Sequence, residues 1–330
     1  MNITVLGAGA WGTALAVALA PRHDVQLWTR DPAAARALSA TRSNARYLPG
    51  IELPTSLRCT AEFASAVAHC RDGLLLLATP TAALRDVLRQ LRGAAALPPV
   101  VWLCKGLERD SAAMAHEISR DELGGHPAGP LSGPSFAQEV AQGLPTALTV
   151  AGDDSFCRIV TETMHGPALR IYSTHDVTGV EVGGAVKNVL AIATGICDAL
   201  SLGHNARAAL ITRGLAGITR FGVALGAQAA TFMGLTGVGD LILTCTGELS
   251  RNRQVGLMLG SGLPLADALA RVGHVAEGVW SAAAVQRRAA ALGVQMPITD
   301  GVCAVLDERM SPRQALELLL ARDPKREGLT

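Results

Sequence analysis

The sequence predicts an α/β protein with a mostly parallel sheet and its helices in residues 1–175 and an all-helical domain in residues 176–330. Up to about residue 175, short apolar runs alternate with amphipathic stretches, as in the βα units that build a parallel sheet. Beyond that point the strand signals stop, and the remaining apolar patterns are typical of helices. A chain of 330 residues is long enough for two domains, each with its own core.

Composition and charge narrow the class of protein. Hydrophobic residues make up 49% of the chain, which predicts a folded protein rather than a disordered one. The 29 basic and 28 acidic residues nearly cancel, and only 3% of the residues are aromatic. This balance gives no basis for attraction to nucleic acid or to an anionic membrane, and few aromatic side chains are available for base stacking. We therefore expect no nucleic-acid partner.

The seven cysteines are far apart, odd in number and include no Cys-x-x-Cys pair. We expect buried thiols, no metal site and a reducing, cytoplasmic location. Two uncharged runs, residues 1–21 and 221–239, have the length of targeting or membrane segments. The first lacks a basic leader, and the second holds five glycines and has weak hydropathy. We expect no integral membrane segment, and we predict buried helix plus loop for the second run.

The first element is an apolar strand at residues 2–6, and a glycine-rich turn and a helix at residues 13–20 follow it. The turn carries Gly-x-Gly-x-x-Gly, which in this strand–turn–helix context is typical of a dinucleotide site. Gly7 allows the tight turn, Gly9 lets the backbone approach a pyrophosphate, and Gly12 lets the helix pack on the strand. The N–H groups of the helix start then face the phosphates. We therefore predict a Rossmann-like N-terminal domain.

The end of the second strand bears on the choice of cofactor. Residues 25–28 predict this strand, and Arg30 and Asp31 follow it. An acidic residue at this point is typical of NAD sites, whereas an arginine suits the 2′-phosphate of NADP. Asp31 before Pro32 also matches a helix N-cap with proline at the first helical position. That alternative leaves Arg30 at the strand end and favours NADPH, unless Arg30 is only a solvated loop charge.

Further polar groups lie near the ends of later strands. Lys105 directly follows a strand, where side chains point into the ligand crevice of an open α/β sheet, although a plain loop lysine fits equally. The turn Gly133-Pro134-Ser135 can present the Gly133 N–H and the Ser135 hydroxyl to a ligand, or it can simply start a helix that Ser135 caps. Strands are predicted at residues 73–78, 100–104, 130–132, 146–150 and 169–172, with helices at 81–91, 135–142 and 153–164.

The helical half centres on an apolar stretch at residues 180–200, where Gly183, Gly184 and Lys187 share one helix face. A glycine inside a helix costs ~1 kcal/mol relative to alanine, so two together suggest that a ligand or another backbone approaches closely. Lys187 is then placed to donate a proton; the alternative is a surface lysine beside a helix-packing glycine pair. Other helices are predicted at residues 205–225, 241–245, 250–259, 265–271, 277–292, 299–307 and 312–321.

Two clusters in this half suggest ligand binding. A glycine-rich loop leads to Asp240, which is either a functional acid or only the N-cap of the next helix. Ser250 fits an N-cap, and Arg251, Asn252 and Arg253 follow it in the first turn. Because the helix dipole disfavours basic residues at this end, arginines there suggest an anion held by free N–H groups and a guanidinium. We predict a phosphate site at this helix start.

Motifs at seven places, in one order, carry a resemblance to a known family. They are Gly7-Ala-Gly-Ala-Trp11-Gly12-Thr-Ala, Leu103-Cys-Lys105-Gly106, Leu131-Ser-Gly133-Pro-Ser135-Phe136-Ala137, Glu181-Val-Gly-Gly-Ala-Val-Lys187-Asn188, Gly237-Val-Gly-Asp240-Leu, Ser250-Arg251-Asn252-Arg and Val275-Ala-Glu277-Gly278. From Met1 to about Leu320, the chain closely resembles the bacterial NAD(P)H-dependent glycerol-3-phosphate dehydrogenases. The resemblance implies reversible hydride transfer between NAD(P)H and dihydroxyacetone phosphate. The product is sn-glycerol 3-phosphate, the backbone for phospholipid synthesis.

The resemblance also implies roles for individual residues, with Lys187 as the catalytic proton donor and acceptor. Substrate contacts are implied for Lys105, Gly133, Ser135, Lys187, Asp240, Ser250, Arg251 and Asn252, and Asn188 can help to polarise the substrate carbonyl. Cofactor contacts are implied for Trp11, Arg30, Lys105, Ala137, Arg251, Val275 and Glu277, beside Gly7, Gly9, Ala10 and Gly12. Ala10 stands where the family often has serine, and Cys104 replaces a more usual serine or threonine. We expect neither departure to abolish activity.

The implied chemistry fits the residues. Ketone reduction needs hydride on carbon and a proton on oxygen, which Lys187 is expected to donate. A lysine pKa is ordinarily about 10.4; burial and the charge of Lys105 are expected to lower it, and Asp240 to oppose them. Gly183 and Gly184 are then the expected clearance through which ligands reach Lys187.

Two rival functions and the oligomeric state stay open at this point. A 3-hydroxyacid or ketopantoate-type reductase acts on carboxylates and needs no Ser-Arg-Asn phosphate site. A non-catalytic NADP-binding sensor has no use for Lys187 and Asp240 together. The apolar helical half also suggests an interface, so we expect a homodimer.

Overall fold

The structure is a computed structural model, and it describes residues 1–94, 96–273 and 276–321. The chain divides into two compact units. The first comprises Met1–Cys104 and Ala115–Val177, and the second comprises Lys105–Met114 and the chain from Thr178 onward. The predicted division at residue 175 differs from this in one segment, because Leu107 and Met114 of Lys105–Met114 are buried in the helical core.

The first unit alternates strands with helices. The strands are β1 (Asn2–Leu6), β2 (Asp24–Trp28), β3 (Ser43–Asn44), β4 (Leu48–Glu52), β5 (Arg58–Thr60), β6 (Leu74–Leu77), β7 (Val100–Trp102), β8 (Ala128–Ser132), β9 (Thr146–Ala151) and β10 (Leu169–Thr174). The helices are α1 (Ala10–Leu19), α2 (Pro32–Thr41), α3 (Phe63–His69), α4 (Thr81–Leu91), α5 (Ala115–Leu123), α6 (Ala137–Ala141) and α7 (Asp154–Met164).

Eight strands form one sheet in the order β10-β9-β8-β7-β6-β1-β2-β5, and β3 pairs separately with β4. Neighbouring strands of the large sheet are parallel except β8 and β9. All four leucines of β6 are fully buried, as a strand in a sheet covered on both faces requires. The sheet confirms the predicted fold class. In the register of β1, Leu6 lies beside Trp28 on one side and Leu77 on the other, so these strands end at one edge of the sheet.

The sequence pattern predicts no element over residues 43–69, where the structure has β3, β4, β5 and α3. These strands have two to five residues. Strands of this length are too short to show a recognisable alternation of apolar and polar side chains. The pattern also misses α5.

The second unit is helical among the residues that the structure describes. Its helices are α8 (Val177–Ala199), α9 (Gly203–Ala224), α10 (Asp240–Thr246), α11 (Arg251–Gly260), α12 (Leu265–Val272), α13 (Glu277–Ala291), α14 (Pro297–Leu306) and α15 (Pro312–Leu320). Between α9 and α10 the chain forms a 3₁₀ turn (Ala229–Met233) and a π-helical segment (Leu235–Gly239). The uncharged run at residues 221–239 is therefore helix end, turn and π-helix, close to the predicted helix plus loop.

Helix α8 is the centre of this unit. From Gly179 to Cys197, all residues except Glu181 are buried. Glycines on α8 and on its neighbours allow close contact: a Cβ on Gly195 of α8 would lie 2.1 Å from the Arg253 carbonyl oxygen, and one on Gly256 of α11 would lie 2.1 Å from that of Ile192. In the described part of the chain, α8 alone is long and apolar enough to cross a bilayer, and its apolar window is entirely buried within the protein.

Candidate active site

In the first unit, the glycine-rich turn between β1 and α1 has the shape of a dinucleotide cradle. Gly7 has a φ of 123°, and a Cβ there would lie 2.7 Å from the Ala78 carbonyl oxygen. A Cβ on Gly12 would lie 2.0 Å from the Gly7 carbonyl oxygen, whereas a Cβ on Gly9 would meet no atom within 4 Å. Gly7 and Gly12 thus serve the turn and its packing, and the open space lies over Gly9. No side chain caps the start of α1, so its first N–H groups are available to an anion.

Two further groups bear on this cradle, and sequence reasoning missed the first. Asn44 on β3 is buried and donates hydrogen bonds from Nδ2 to the Ala8 carbonyl oxygen (3.0 Å) and to Thr13 Oγ1 (2.8 Å). It therefore fixes the loop, and no local signal marks it because β3 is so short. The Trp11 indole N–H is buried and has no hydrogen-bond partner among the described residues. Loop, helix start and indole all fit a bound dinucleotide.

After β2, Asp31 lies at the N-cap position of α2. Its carboxylate accepts a hydrogen bond from the Ala33 N–H at 2.8 Å, and Pro32 follows as the first residue of α2. The N-cap interpretation is therefore confirmed for Asp31. Arg30 is exposed beside it.

The turn after β8 differs from a simple capped helix start. Gly133 has a φ of 141°, which favours glycine, and the Ser135 hydroxyl donates to the Gly133 carbonyl oxygen at 2.9 Å. Phe136, not Ser135, occupies the N-cap position of α6, and Ala137 is its first residue.

In the second unit, two lysines converge on one buried carboxylate. Lys187 Nζ lies 2.5 Å from Asp240 Oδ1, and Lys105 Nζ lies 2.9 Å from Asp240 Oδ2. Asp240 is 1% exposed and Lys187 6% exposed. Asp240 begins α10, but the N-cap is Gly239, so the alternative that Asp240 is only a helix cap is wrong.

The charges of this trio shift the pKa values in opposite directions. Burial lowers the pKa of Lys187 to about 8; the Asp240 carboxylate opposes this effect, and the charge of Lys105 adds to it. Burial also disfavours ionised Asp240, but Lys105 and Lys187 outweigh it and hold the pKa of Asp240 below its ordinary value. A buried lysine with a pKa near neutrality can give up and regain a proton, which is what an acid/base catalyst needs.

Thr244 completes this cluster, and sequence reasoning did not single it out. Its hydroxyl lies 2.8 Å from Lys187 Nζ and 3.3 Å from Asp240 Oδ1, one helical turn along α10 from Asp240.

The scarcity of lysine is a further sequence signal for Lys105 and Lys187. The chain has only three lysines, Lys105, Lys187 and Lys325, among 29 basic residues. Arginine stays protonated in proteins, so lysine is required where a cation must titrate.

Three predicted residues form hydrogen bonds around the Lys105 backbone. Glu277 Oε2 accepts from the Lys105 N–H at 3.2 Å, and Asn188 Nδ2 donates to the Lys105 carbonyl oxygen at 3.3 Å. Asn252 Nδ2 donates to Asn188 Oδ1 at 3.0 Å. Both asparagines are buried.

The start of α11 supports one of its two arginines as a ligand group. Ser250 is buried and caps the helix by accepting a hydrogen bond from the Arg253 N–H at 3.3 Å. The Arg253 guanidinium lies 2.7 Å from Asp198 Oδ2, so it forms an ion pair rather than extending to solvent. Arg251 is exposed and forms no hydrogen bond or ion pair within the described residues.

For Gly183 on α8, the structure supports the second of the two predicted reasons, the close approach of another backbone. A Cβ on Gly183 would lie 2.3 Å from the Thr236 carbonyl oxygen of the π-helical segment. Ligand clearance is therefore wrong as the reason for Gly183, because another backbone fills that space. Val275 lies outside the described residues. Within them, no cluster of His, Cys, Asp and Glu could hold a metal ion.

Comparison with known proteins gives a consistent result over the whole chain. Residues 2–157 match the model for the N-terminus of NAD-dependent glycerol-3-phosphate dehydrogenase, and residues 176–317 match the one for its C-terminus. The glycerol-3-phosphate dehydrogenase [NAD(P)+] of Paucimonas lemoignei is 59% identical, with 100% of this chain and 99% of that protein covered. The protein of the same name from Herminiimonas arsenicoxydans is also 59% identical, with 99% of each covered.

A solved structure agrees with these relatives. The crystal structure of glycerol-3-phosphate dehydrogenase from Coxiella burnetii superposes with a TM-score of 0.93 at 40% identity, covering 97% of this chain and 98% of that one. This chain belongs to the NAD-dependent glycerol-3-phosphate dehydrogenase family.

Proposed function

We propose that this protein reduces dihydroxyacetone phosphate to sn-glycerol 3-phosphate with NADPH or NADH, and that Lys187 is the proton donor and acceptor. The observation that carries the proposal is the buried Lys187–Asp240 pair, in which the lysine pKa is lowered to about 8. Family membership identifies the reaction for which such a residue is needed.

The cofactor is assigned first to the glycine-rich turn. Gly7, Gly9, Ala10, Trp11 and Gly12 would hold the dinucleotide, because the open space over Gly9 and the uncapped helix start suit a pyrophosphate. Hydride for the substrate carbon is the chemistry that a bound nicotinamide supplies. We assign further cofactor contacts to Ala137, Lys105, Arg251, Val275 and Glu277 on the family resemblance.

Proton transfer is assigned to Lys187. During reduction, its ammonium gives a proton to the developing alkoxide, and during oxidation its neutral amine takes that proton back. Asp240 and Thr244 hold Nζ in place at 2.5 and 2.8 Å. Lys105 contributes a second positive charge near the reacting oxygen, and a donor of this kind is worth ~3–4 kcal/mol in the transition state.

The substrate phosphate is assigned to the start of α11. Arg251 supplies a guanidinium that forms no hydrogen bond or ion pair within the described residues, although the charge of Glu277 acts on it. Ser250 can donate its hydroxyl proton while its oxygen caps the helix. The side-chain amide nitrogen of Asn252 carries two hydrogens and donates one of them to Asn188 Oδ1. The second hydrogen is therefore available for the phosphate. Gly133 and Ser135 are assigned to the substrate on the family resemblance.

Several wider assignments go with this function. We assign NADPH as the preferred cofactor, since Arg30 is exposed beside the N-cap Asp31 and suits a 2′-phosphate. We also assign a cytoplasmic homodimer and a supply of glycerol 3-phosphate for phospholipid synthesis. Size-exclusion chromatography with light scattering tests the dimer directly.

One assay tests the reaction. NADPH oxidation is followed with dihydroxyacetone phosphate, with 2-keto acids and with no substrate. We expect turnover only with dihydroxyacetone phosphate. Turnover with 2-keto acids would support a 3-hydroxyacid or ketopantoate-type reductase, and NADPH binding without any turnover would support a sensor.

A further inference from the structure

The hydrogen bonds around Lys105 close into a circuit, which we name the Lys105 circuit. The Lys105 N–H donates to Glu277, whose chain neighbour Gly278 donates its N–H to Asn252 Oδ1 at 3.0 Å. Asn252 donates to Asn188, and Asn188 donates back to the Lys105 carbonyl oxygen. Both backbone polar groups of Lys105 are therefore held by side chains from helices of the second unit.

One backbone group fixes the direction of these amide bonds. The Gly278 N–H can only donate, so the Asn252 atom beside it is the oxygen. The Asn252 nitrogen then faces Asn188 Oδ1, and the Asn188 nitrogen faces the carbonyl oxygens of Lys105 and Gly184 at 3.3 and 3.4 Å. Neither amide can flip without placing two donors or two acceptors against each other.

Gly278 is the tightest point of the circuit. A Cβ there would lie 2.5 Å from the Asn188 carbonyl oxygen and 2.8 Å from Asn252 Oδ1. A methyl group at this position would therefore push on both asparagines, although Gly278 has no side chain of its own to contact a ligand. A substitution at position 278 therefore disturbs the circuit without removing any residue that is assigned to the substrate or the cofactor.

We propose that Asn188, Asn252 and Glu277 are positioning residues, which hold the Lys105 backbone so that its ammonium stays on Asp240 Oδ2. The circuit begins and ends on Lys105, and its members are buried or partly buried on α8, α11 and α13. Lys105 itself lies in the segment between β7 and α5, outside any helix or strand, so no regular backbone hydrogen-bond ladder fixes its main chain. The effect of this circuit on proton transfer by Lys187 rests on the function proposed above. The placement of the Lys105 ammonium by the circuit does not depend on that function.

Lys187 reports on the circuit through its charge environment. The charged or titratable groups that act on Lys187 are Asp240, Lys105 and Cys245, and burial raises the pKa of the Cys245 thiol to about 12, which leaves it neutral. The Lys105 charge adds to burial in lowering the pKa of Lys187. If Lys105 leaves Asp240, the pKa of Lys187 must therefore rise.

The test measures this pKa directly, without any substrate. In full-length protein labelled with ¹³Cε-lysine, three signals are expected, and Lys105→Met and Lys325→Arg assign them. We expect Lys105→Met to raise the pKa of Lys187 by about 1. Asn188→Ala and Gly278→Ala are expected to shift it in the same direction, and Asn188→Ala is expected to add nothing in the Lys105→Met background.

The controls distinguish the positioning of Lys105 from a general loosening of the site. Gly301→Ala places a methyl 3.8 Å from its nearest neighbour and is expected to leave the pKa of Lys187 unchanged. If Asn188→Ala opens the site to water, its shift will persist with Lys105→Met, and that result overturns the proposal. So does an unshifted pKa in both Asn188→Ala and Gly278→Ala. Failure of the reaction assay with the expected pKa shifts would refute the proposed function alone.

Discussion

Lys187 Nζ lies 2.5 Å from Asp240 Oδ1 in a buried part of the helical unit. The other oxygen of the Asp240 carboxylate accepts a hydrogen bond from Lys105 Nζ, so the carboxylate is shared between two cations. Each lysine is thereby less fully neutralised than in a one-to-one pair. Burial and this sharing explain how a lysine that is held by a carboxylate still has a pKa near 8.

Replacing Lys187 with alanine is expected to lower turnover by orders of magnitude while NADPH still binds. Loss of a general acid typically costs ~10²–10⁴-fold in rate, and we expect at least this drop in kcat. Steady-state kinetics and NADPH fluorescence titration measure the two effects. Lys325→Ala is the matched control and is expected to keep the normal kcat. Near-normal kcat in the Lys187 variant would refute the assignment.

The two directions of the reaction are expected to depend on pH with opposite signs. Reduction needs protonated Lys187, so its kcat/KM falls as the pH rises through about 8, whereas oxidation needs the neutral amine and its kcat/KM rises through the same pH. In Lys105→Met both inflections move upward, because one charge that lowers this pKa is removed. Profiles of kcat/KM from pH 6 to pH 10 measure these inflections. A kcat/KM for reduction that stays constant across pH 8 contradicts the assignment.

Arg251 and Arg253 are expected to differ, although they are two residues apart. Arg251→Ala is expected to raise the KM for dihydroxyacetone phosphate by roughly 10- to 100-fold, because a charge-assisted contact to phosphate is lost. Arg253→Ala is expected instead to lower the free energy of unfolding by about 2 kcal/mol, because its ion pair with Asp198 is lost. An unchanged KM in Arg251→Ala removes Arg251 from the phosphate site.

Arg30 is expected to decide between the two dinucleotides. Arg30→Ala is expected to raise the KM for NADPH about tenfold and to change the KM for NADH little, since only NADPH carries a 2′-phosphate. Arg36→Ala, which removes an arginine within the following helix α2, serves as the control. Equal effects on both cofactors would exclude a 2′-phosphate contact.

Gly183 is expected to matter for stability rather than for ligand access. Gly183→Ala forces a methyl against the Thr236 carbonyl oxygen, and such overpacking costs about 1–3 kcal/mol. Gly301→Ala meets only ordinary contacts at 3.8 and 3.9 Å, and it is expected to be neutral or to stabilise α14 by up to about 1 kcal/mol. Urea unfolding measures both variants. Equal stabilities would show that the backbones near Gly183 can move apart without cost.

Local patterns in the sequence were sufficient for most of the fold. The strand at residues 2–6 and the helix at 81–91 have the same bounds in the structure as in the prediction. Hydrophobic periodicity, glycine turns and caps such as Asp31 and Ser250 act within a few residues, so they can be read without knowing what packs where. The short strands between residues 43 and 60 were not predicted, because each has too few residues to show a period of apolar and polar side chains.

The sequence by itself determined the elements, the glycine-rich turn and the residue types that a proton-transfer site needs. The tertiary structure alone decided that Lys105 belongs with the helical unit, that Thr244 joins the site and that Arg253 turns to Asp198. Asp240 accepts hydrogen bonds from lysines 53 and 135 positions away. Such pairings depend on which helices bury their faces against each other, and no local period or turn encodes that choice.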